Sequence, residues 1–461
     1  MDHRDVIEAR LAAIYGGHKW IIAVEAAAIA TEAVARLRNR GAADVMVVAA
    51  VAGVGDLPDC EIRLTHASGT TIMQGLRSFE QSLLRPSQDV AEAVAQFDPD
   101  GEARVLQAGF GTLAAALGRP VYGVRPATQA ALEDKMLADG LWDAARIPRA
   151  PTTIVKPEDG PVAHRRIAGP KGSVWVADNK EGWHGGGEYV RWVADDADAA
   201  AAAVWFTQHS DRVRVMPFLD GIPCSVHGWV TGNGIAVGEP MEMLILRRVD
   251  RPAFVYAGMA TFWNPEREAA DAMRSAALAV GHDLVERVGY IGPYGIDGVL
   301  TAEGFRPTEL NPRLSAGHSI PARAAGLAPF DLATTSVAGD LDLDAQWLER
   351  VVRAATTEQR GGRASYHGHP VPLPERSIGV CFTEHGAVAA SDATKQATIE
   401  TGASPSGGLV FVAFEPDRIA VGPSVAGLAV AGLRFAAEEF DLDVPELEAA
   451  PDLWATAVPG G

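Results

Sequence analysis

Tyr294-Gly-Ile-Asp-Gly-Val-Leu300, a break at Thr301-Ala-Glu-Gly304, and then Pro307-Thr-Glu-Leu-Asn-Pro-Arg313 form the stretch on which the reading of this chain turns. Gly304 between two short apolar-flanked runs predicts a hairpin-like turn. Two antiparallel strands then set Asp297 beside Glu309. Asn311 follows Glu309 by two residues, so strand alternation puts both side chains on one face. Two carboxylates and an amide oxygen are hard ligands of the kind Mg²⁺ takes, and Arg313 is a rigid fork for a carboxylate or phosphate. Without Arg313 the same pattern fits a solvated hairpin with a Pro-terminated edge. With it, the stretch reads as a place where metal-bound phosphates meet an anionic substrate.

Upstream lies Lys180-Glu-Gly-Trp-His-Gly-Gly-Gly-Glu-Tyr-Val190. A lysine past the strand candidate Ser173–Ala177 is followed by Gly182, Gly185, Gly186 and Gly187. Glycines let backbone N–H groups approach phosphate oxygens and let a loop close over a ligand. A flexible hairpin tip has the same composition. No GxxxxGK[ST] loop occurs. His184, inside the run, reads as an exposed loop residue.

The order of motifs carries more than any one of them. Leu132-Glu-Asp-Lys-Met-Leu-Ala-Asp-Gly140 is followed by Ile147-Pro-Arg-Ala-Pro151, then by the Lys180 glycine run. Val215-Met-Pro-Phe-Leu-Asp-Gly-Ile-Pro-Cys-Ser-Val226 comes next, then Arg247-Arg248, then the acidic hairpin. This succession, over roughly residues 128 to 330, resembles the ATP-grasp superfamily. It is most similar to the carboxylate–amine ligases and to the nucleotide site of biotin carboxylase.

The resemblance implies a site. Lys135 and Lys180 would contact phosphates under a mobile loop containing Gly185, Gly186 and Gly187. Met216, Pro217, Phe218 and Leu219 would form the adenine hinge, with Pro217 C=O and Leu219 N–H pairing with the base. Asp220 could reach the ribose. Arg247 and Arg248 would add positive charge for phosphate. Asp297, Glu309 and Asn311 would hold one or two Mg²⁺ ions, or Mn²⁺. Arg313 would grip the acyl phosphate. Ser315, His318 and Arg323 follow on the same loop as candidates for substrate contact, His318 also for taking the amine proton or for a structural role. The activity implied is ATP-dependent joining of a carboxylic acid to an amine through an acyl phosphate, on amino acids or peptides. Open alternatives are a carboxylase that phosphorylates bicarbonate, a phosphotransferase without amide formation, and a nucleotide-binding protein without turnover.

The expected fold class is α/β and α+β. Residues 1–125 alternate strand and helix, as in a parallel Rossmann-like sheet. Strands are expected at Trp20–Val24, Val45–Ala52, Arg104–Ala108 and Pro120–Gly123, and a helix at Glu25–Arg40. Gly53-Val-Gly55 is a turn, since the full GxGxxG is missing. Residues 126–340 are the ATP-grasp region, with a mobile lid at about 150–215. They hold short β-rich runs, a helix at Asp195–Phe206 and a long helix at Glu266–Val288. Residues 341–461 form a small α+β region with a helix at Asp344–Thr356, a Gly/Arg/His-rich loop at Gly361–His369, and strands at Ser377–Phe382 and Gly408–Ala413.

With 461 residues the chain is long enough for about three domains. Its net charge of -19 speaks against nucleic-acid binding, which draws on clustered Lys and Arg. Cys60, Cys224 and Cys381 are scattered and form no CxxC pair, as in a reducing cytosol. The N-terminal segment lacks the basic-then-apolar order of a signal peptide, and the apolar run Val45–Gly55 is too short to span a bilayer. The expectation is a cytoplasmic protein with small-molecule acid and amine substrates, no nucleic-acid or membrane partner, and a homodimeric state.

Overall fold

Four parallel strands open the chain, in the sheet order Glu61–Leu64, Asp44–Val51, Lys19–Ala26, Arg104–Gln107. The two central strands read as unbroken apolar runs because both their faces are covered. Ile22, Val45 and Val47 pack on Leu11, Val34 and Leu37 on one side; Ile21, Met46 and Val48 pack on Phe79, Leu83 and Val94 on the other. The structure, a computed structural model, describes residues 2–107, 111–369 and 371–451.

The helix expected from Glu25 begins later. The strand runs on to Ala26, where it pairs with Val51, and a 3₁₀ turn at Ala27–Ala30 leads into the helix Thr31–Asn39. Sheet register overrides the helix preference of alanine here. Ala108, at the end of an expected strand, lies outside the described residues. The strand expected at Pro120–Gly123 is reduced to Arg119–Pro120 and a single bridge from Val121 to Val105.

A second sheet is antiparallel, in the order Thr153–Val155, Val213–Pro217, Ser173–Ala177, Val190–Val193. Trp175 and Phe206 fill its core, the latter from the helix Asp196–His209. Asp195 caps that helix by accepting from the Ala197 and Asp198 N–H groups.

The third sheet is also antiparallel and has twelve strands among the described residues. One edge is the hairpin Gly292–Thr301 and Gly304–Asn311, turned at Gly304 with φ of +100°. Ile222–Thr231, Met241–Arg248 and Phe254–Ala260 follow. The sheet then continues through Gly362–His369 and Gly407–Phe414 to Ala397–Ser404 and Arg376–Thr383, so one sheet spans residues on both sides of 340. The stretch expected as a loop at Gly361–His369 is therefore a strand from Gly362 to His369. Its polar residues alternate with Ala364 and Tyr366, which pack into the core, and alternation outweighs the glycines.

The long helix Arg267–Val288 supports the hairpin. Met273, Ala277, Val280 and Leu284 are buried against Val226, Tyr294, Ile296 and Leu310. Each larger side chain contributes about 1.5–3 kcal/mol from leaving water. The buried Tyr294 hydroxyl donates to the Ala277 carbonyl at 2.7 Å, which satisfies its one polar group. No helix among the described residues is long and apolar enough to cross a membrane.

Candidate active site

A cavity of about 360 Å³ separates the second sheet from the third. Met216, Pro217, Phe218 and Leu219 line one end of it, as the hinge reading expects. Val174 and Val176 form an apolar wall there, because strand alternation turns them inward and sends Trp175 into the core. Lys135, Asp297, Glu309, Asn311 and Arg313 also line the cavity. Gly185, Gly186 and Gly187 close its roof.

Asp297 and Glu309 face each other across the hairpin, with a register shift just beyond Asp297. Pro307 cannot donate to the ladder, and a bulge there re-aims the acids. The Thr308 hydroxyl donates to the Asp297 carbonyl at 3.2 Å and braces it. Lys135 Nζ lies 2.5 Å from Glu309 Oε1, and Asn311 Nδ2 donates to Asp297 Oδ2 at 2.8 Å. Burial first, and then the charge of Glu309, push the Asp297 carboxyl up to about 7, against the pull of Lys135 and Arg313. Two crowded carboxylates of this kind form a sink for a divalent cation, and with the amide oxygen of Asn311 they make a hard donor set that fits Mg²⁺ or Mn²⁺. Among the described residues no group of three or more His, Cys, Asp and Glu could hold a metal. The set here reaches three ligands only through Asn311.

Arg313 is held as a fork. Its Nε donates to Glu133 Oε1 at 2.8 Å and its Nη2 to Asn311 Oδ1 at 3.0 Å. Burial works to raise Glu133, but Arg313 and Arg125 hold it below the usual carboxylate range, so this acid stays ionised beneath two guanidiniums. Arg247 lines the other end. Its guanidinium lies over the Phe218 ring at 4.9 Å and donates to Asp220, which also pairs with Lys171 at 2.7 Å. Arg247 thus belongs to the hinge end of the cavity, with Asp220.

Four expected residues stand elsewhere, among them Arg323, which lies 3.6 Å from Glu32 outside the cavity. Lys180 comes three residues after its strand ends at Ala177, and its Nζ pairs with Asp211 at 3.0 Å on the surface. The inward position at that strand end is Val176. Arg248 alternates away from Arg247 and pairs with Asp250 at 2.7 Å. His318 is buried behind the cavity wall. Its Nε2 donates to the Gly228 carbonyl, and its Nδ1 takes the Ser315 N–H at 3.2 Å in a capping box of the helix Ala316–Ala324. Both nitrogens are occupied, so its role is structural.

His184 is not exposed. It is 6% exposed, its ring lies tilted against Tyr189 with centroids 4.8 Å apart, and its Nε2 is buried without a partner. Glycines on either side let the loop fold the ring inward. The sequence reading also missed three other groups. Glu133 sits two residues before Lys135, where an acid on an apolar turn was the only signal. Arg214, only 1% exposed, pairs with Asp139 at 2.6 Å and reaches the Thr308 carbonyl, tying the hinge strand to the acidic hairpin. His227 lines the cavity from within an apolar strand.

The glycine loop is anchored from outside the two sheets. Glu188, directly after Gly187, accepts from Arg77 at 3.0 Å and from the Thr71 hydroxyl at 2.9 Å. Both partners belong to the helix Ile72–Leu84 and its cap in the N-terminal part.

No family model matches the chain, and no curated protein matches it in sequence. In structure it is similar to biotin carboxylase from Campylobacter jejuni in a β-γ-ATP complex, with a TM-score of 0.55 at 13% identity over 94% of this chain and 93% of that one. The biotin carboxylase domain of 2-oxoglutarate carboxylase from Hydrogenobacter thermophilus, with MgADP, ADP and bicarbonate, gives 0.52 at 11% over 93% and 91%. An N5-carboxyaminoimidazole ribonucleotide synthetase with ADP gives 0.51 at 12% over 92% and 98%. At these identities the likeness is one of fold.

Proposed function

We propose, from the ATP-grasp fold that this chain has, that it is an ATP-dependent carboxylate–amine ligase that forms an amide through an acyl phosphate and releases ADP and phosphate. The observation that carries the reading is the convergence of Asp297, Glu309, Asn311, Lys135 and Arg313 on one cavity whose other end is the Met216–Leu219 hinge. The structural neighbours with ADP, MgADP and a β-γ-ATP complex support a nucleotide in that cavity.

The hinge and the Val174–Val176 wall would enclose the base in an apolar slot. Asp297, Glu309 and Asn311 would hold Mg²⁺, which supplies neutralisation of the phosphate charge when bound. Lys135, now held by Glu309, would turn to a phosphate oxygen. The Gly185–Gly187 loop brings backbone N–H groups over the phosphates and excludes water, which would hydrolyse an acyl phosphate. Arg313 presents a planar pair of donors to the acid carboxylate and then to the oxyanion formed as the amine attacks. Amino acids or peptides are the substrate class we favour, because a fixed fork on Glu133 and Asn311 suits a carboxylate.

The test is ADP release from MgATP in the presence of pooled carboxylic acids and amino acids. Release that requires both an acid and an amine upholds the ligase. Release that requires bicarbonate alone assigns the protein to the carboxylases, the second reading, which the bicarbonate in the Hydrogenobacter thermophilus structure favours.

A further inference from the structure

His227 lies on the strand Ile222–Thr231, opposite Gly295 and one same-face step from Ser225, which pairs with Asp297. It is 7% exposed. Its ring forms part of the wall of the central cavity and of a second, small void of about 40 Å³ behind it. Two glycines hold the ring from either side. A Cβ on Gly317 would come within 2.0 Å of Cε1, and one on Gly295 within 2.9 Å of Cδ2. Side chains at those positions would expel the imidazole, so the backbone is shaped around it.

The two nitrogens face different surroundings. Nε2 lies 3.4 Å from Ser225 Oγ, on the side of the strand that leads to Asp297. Nδ1 is buried and has no partner, and the same holds for Nε1 of Trp229, the next same-face residue. Both residues line the small void, which has room for a water. A water there would accept from Nδ1–H and from the indole N–H; Nε2 then keeps its lone pair, which takes the Ser225 hydroxyl at 3.4 Å until an amine N–H displaces it. His318, packed edge-on at 4.7 Å, has both its nitrogens occupied and cannot serve instead. Burial, and then His318, hold the His227 ring well below the ordinary histidine range, so it is neutral before reaction.

We propose that His227 Nε2 takes the proton of the attacking amine in the amide-forming step. The proposal rests on the ligase reading. The amine nitrogen forms a bond to the acyl carbon, its N–H proton passes to Nε2, and the acyl C–O bond breaks as phosphate leaves with the electron pair. The Nε2 proton then returns to solvent through the central cavity as the products leave, which restores the Nδ1–H tautomer.

Hydroxylamine separates the two halves of the reaction, because it traps acyl phosphates without needing a base. Purified wild type, His227→Gln and His227→Asn are given MgATP and an equimolar pool of the twenty common L-amino acids, with or without hydroxylamine. Hydroxamate is measured by its iron complex and dipeptides by mass spectrometry; ADP affinity and melting temperature report folding. The expected result is hydroxamate within about 3-fold of wild type and amide lower by about 100-fold or more in both variants. Parallel loss of hydroxamate and amide overturns the proposal and makes His227 a structural residue, as does amide formation that persists in both variants. Wild type that forms neither product overturns the ligase reading, and the base with it.

Discussion

Lys135 Nζ is 2.5 Å from Glu309 Oε1, so the cation that should face a phosphate is paired with an acid that should face a metal. On the proposed function, each would neutralise the other until Mg-nucleotide binds, and binding would exchange both partners at once. Glu309→Gln is expected to lower ADP release by about 100-fold or more, since positioning and charge neutralisation carry most of phosphoryl transfer. Lys135→Ala should raise KM for MgATP and lower kcat together. Glu309→Gln with full turnover refutes the metal assignment.

Lys180 is a surface partner of Asp211 and should be dispensable. Lys180→Ala is expected to leave kcat and KM for MgATP within about 2-fold, as for an exposed ion pair. A large rise in KM would place the lysine over the phosphates after all.

Arg214 and Asp139 form a buried pair that joins the hinge strand to the acidic hairpin. Breaking it removes the main partner of a largely buried carboxylate, which keeps only the Thr152 hydroxyl at 2.6 Å and Arg149 at 3.8 Å. Arg214→Met should therefore destabilise the protein by about 3–5 kcal/mol. Urea unfolding measures this, and a loss below about 1 kcal/mol, the range of an exposed pair, would contradict it.

Stability should fall in mild acid. Burial pushes the His318 imidazole down to about 4, and burial with Arg363 nearby pushes His367 down to about 4. In the unfolded chain both titrate near 6.5. Below that pH the unfolded chain binds protons that the folded one does not. This stability is complete above about pH 6.5 and is lost as pH falls towards 4. Each ring adds a slope of up to about 1.4 kcal/mol per pH unit, and His318→Gln should remove one such share. An unchanged slope in that variant would refute it.

The acidic hairpin was legible because its turn residue, its alternation and its Pro-terminated edge all act locally. The place of Met216–Leu219 on the cavity wall was legible for the same reason. Lys180 was misplaced because the reading could not tell that the strand stops at Ala177 and offers Val176 to the cavity. His318 was read as a candidate acid–base or structural group, but the capping box that occupies its Nδ1 depends on a turn at Ser315, and the Gly228 carbonyl that takes its Nε2–H is 90 residues away in sequence. His227 sits in an apolar ten-residue strand and looks like core; only the glycines opposite it, far away in sequence, make room for the ring. The sheet that runs through residue 340 was hidden because Gly362–His369 pairs with strands more than 40 residues away on one side and about 100 on the other.

The bond between Arg77 and Glu188 makes the roof of the cavity answerable to the first 107 residues. On the proposed function, a helix with no part in the chemistry would be the post on which a closing glycine loop latches. Loosening that latch would leave the reacting groups in place and admit water to them. Arg77→Ala should therefore hydrolyse ATP without an amine to receive the acyl group, raising the ratio of ADP released to amide formed above the 1:1 of a sealed reaction. On that view the parallel sheet at the start of the chain guards the coupling of fuel to product, and faithful stoichiometry is what that guard secures.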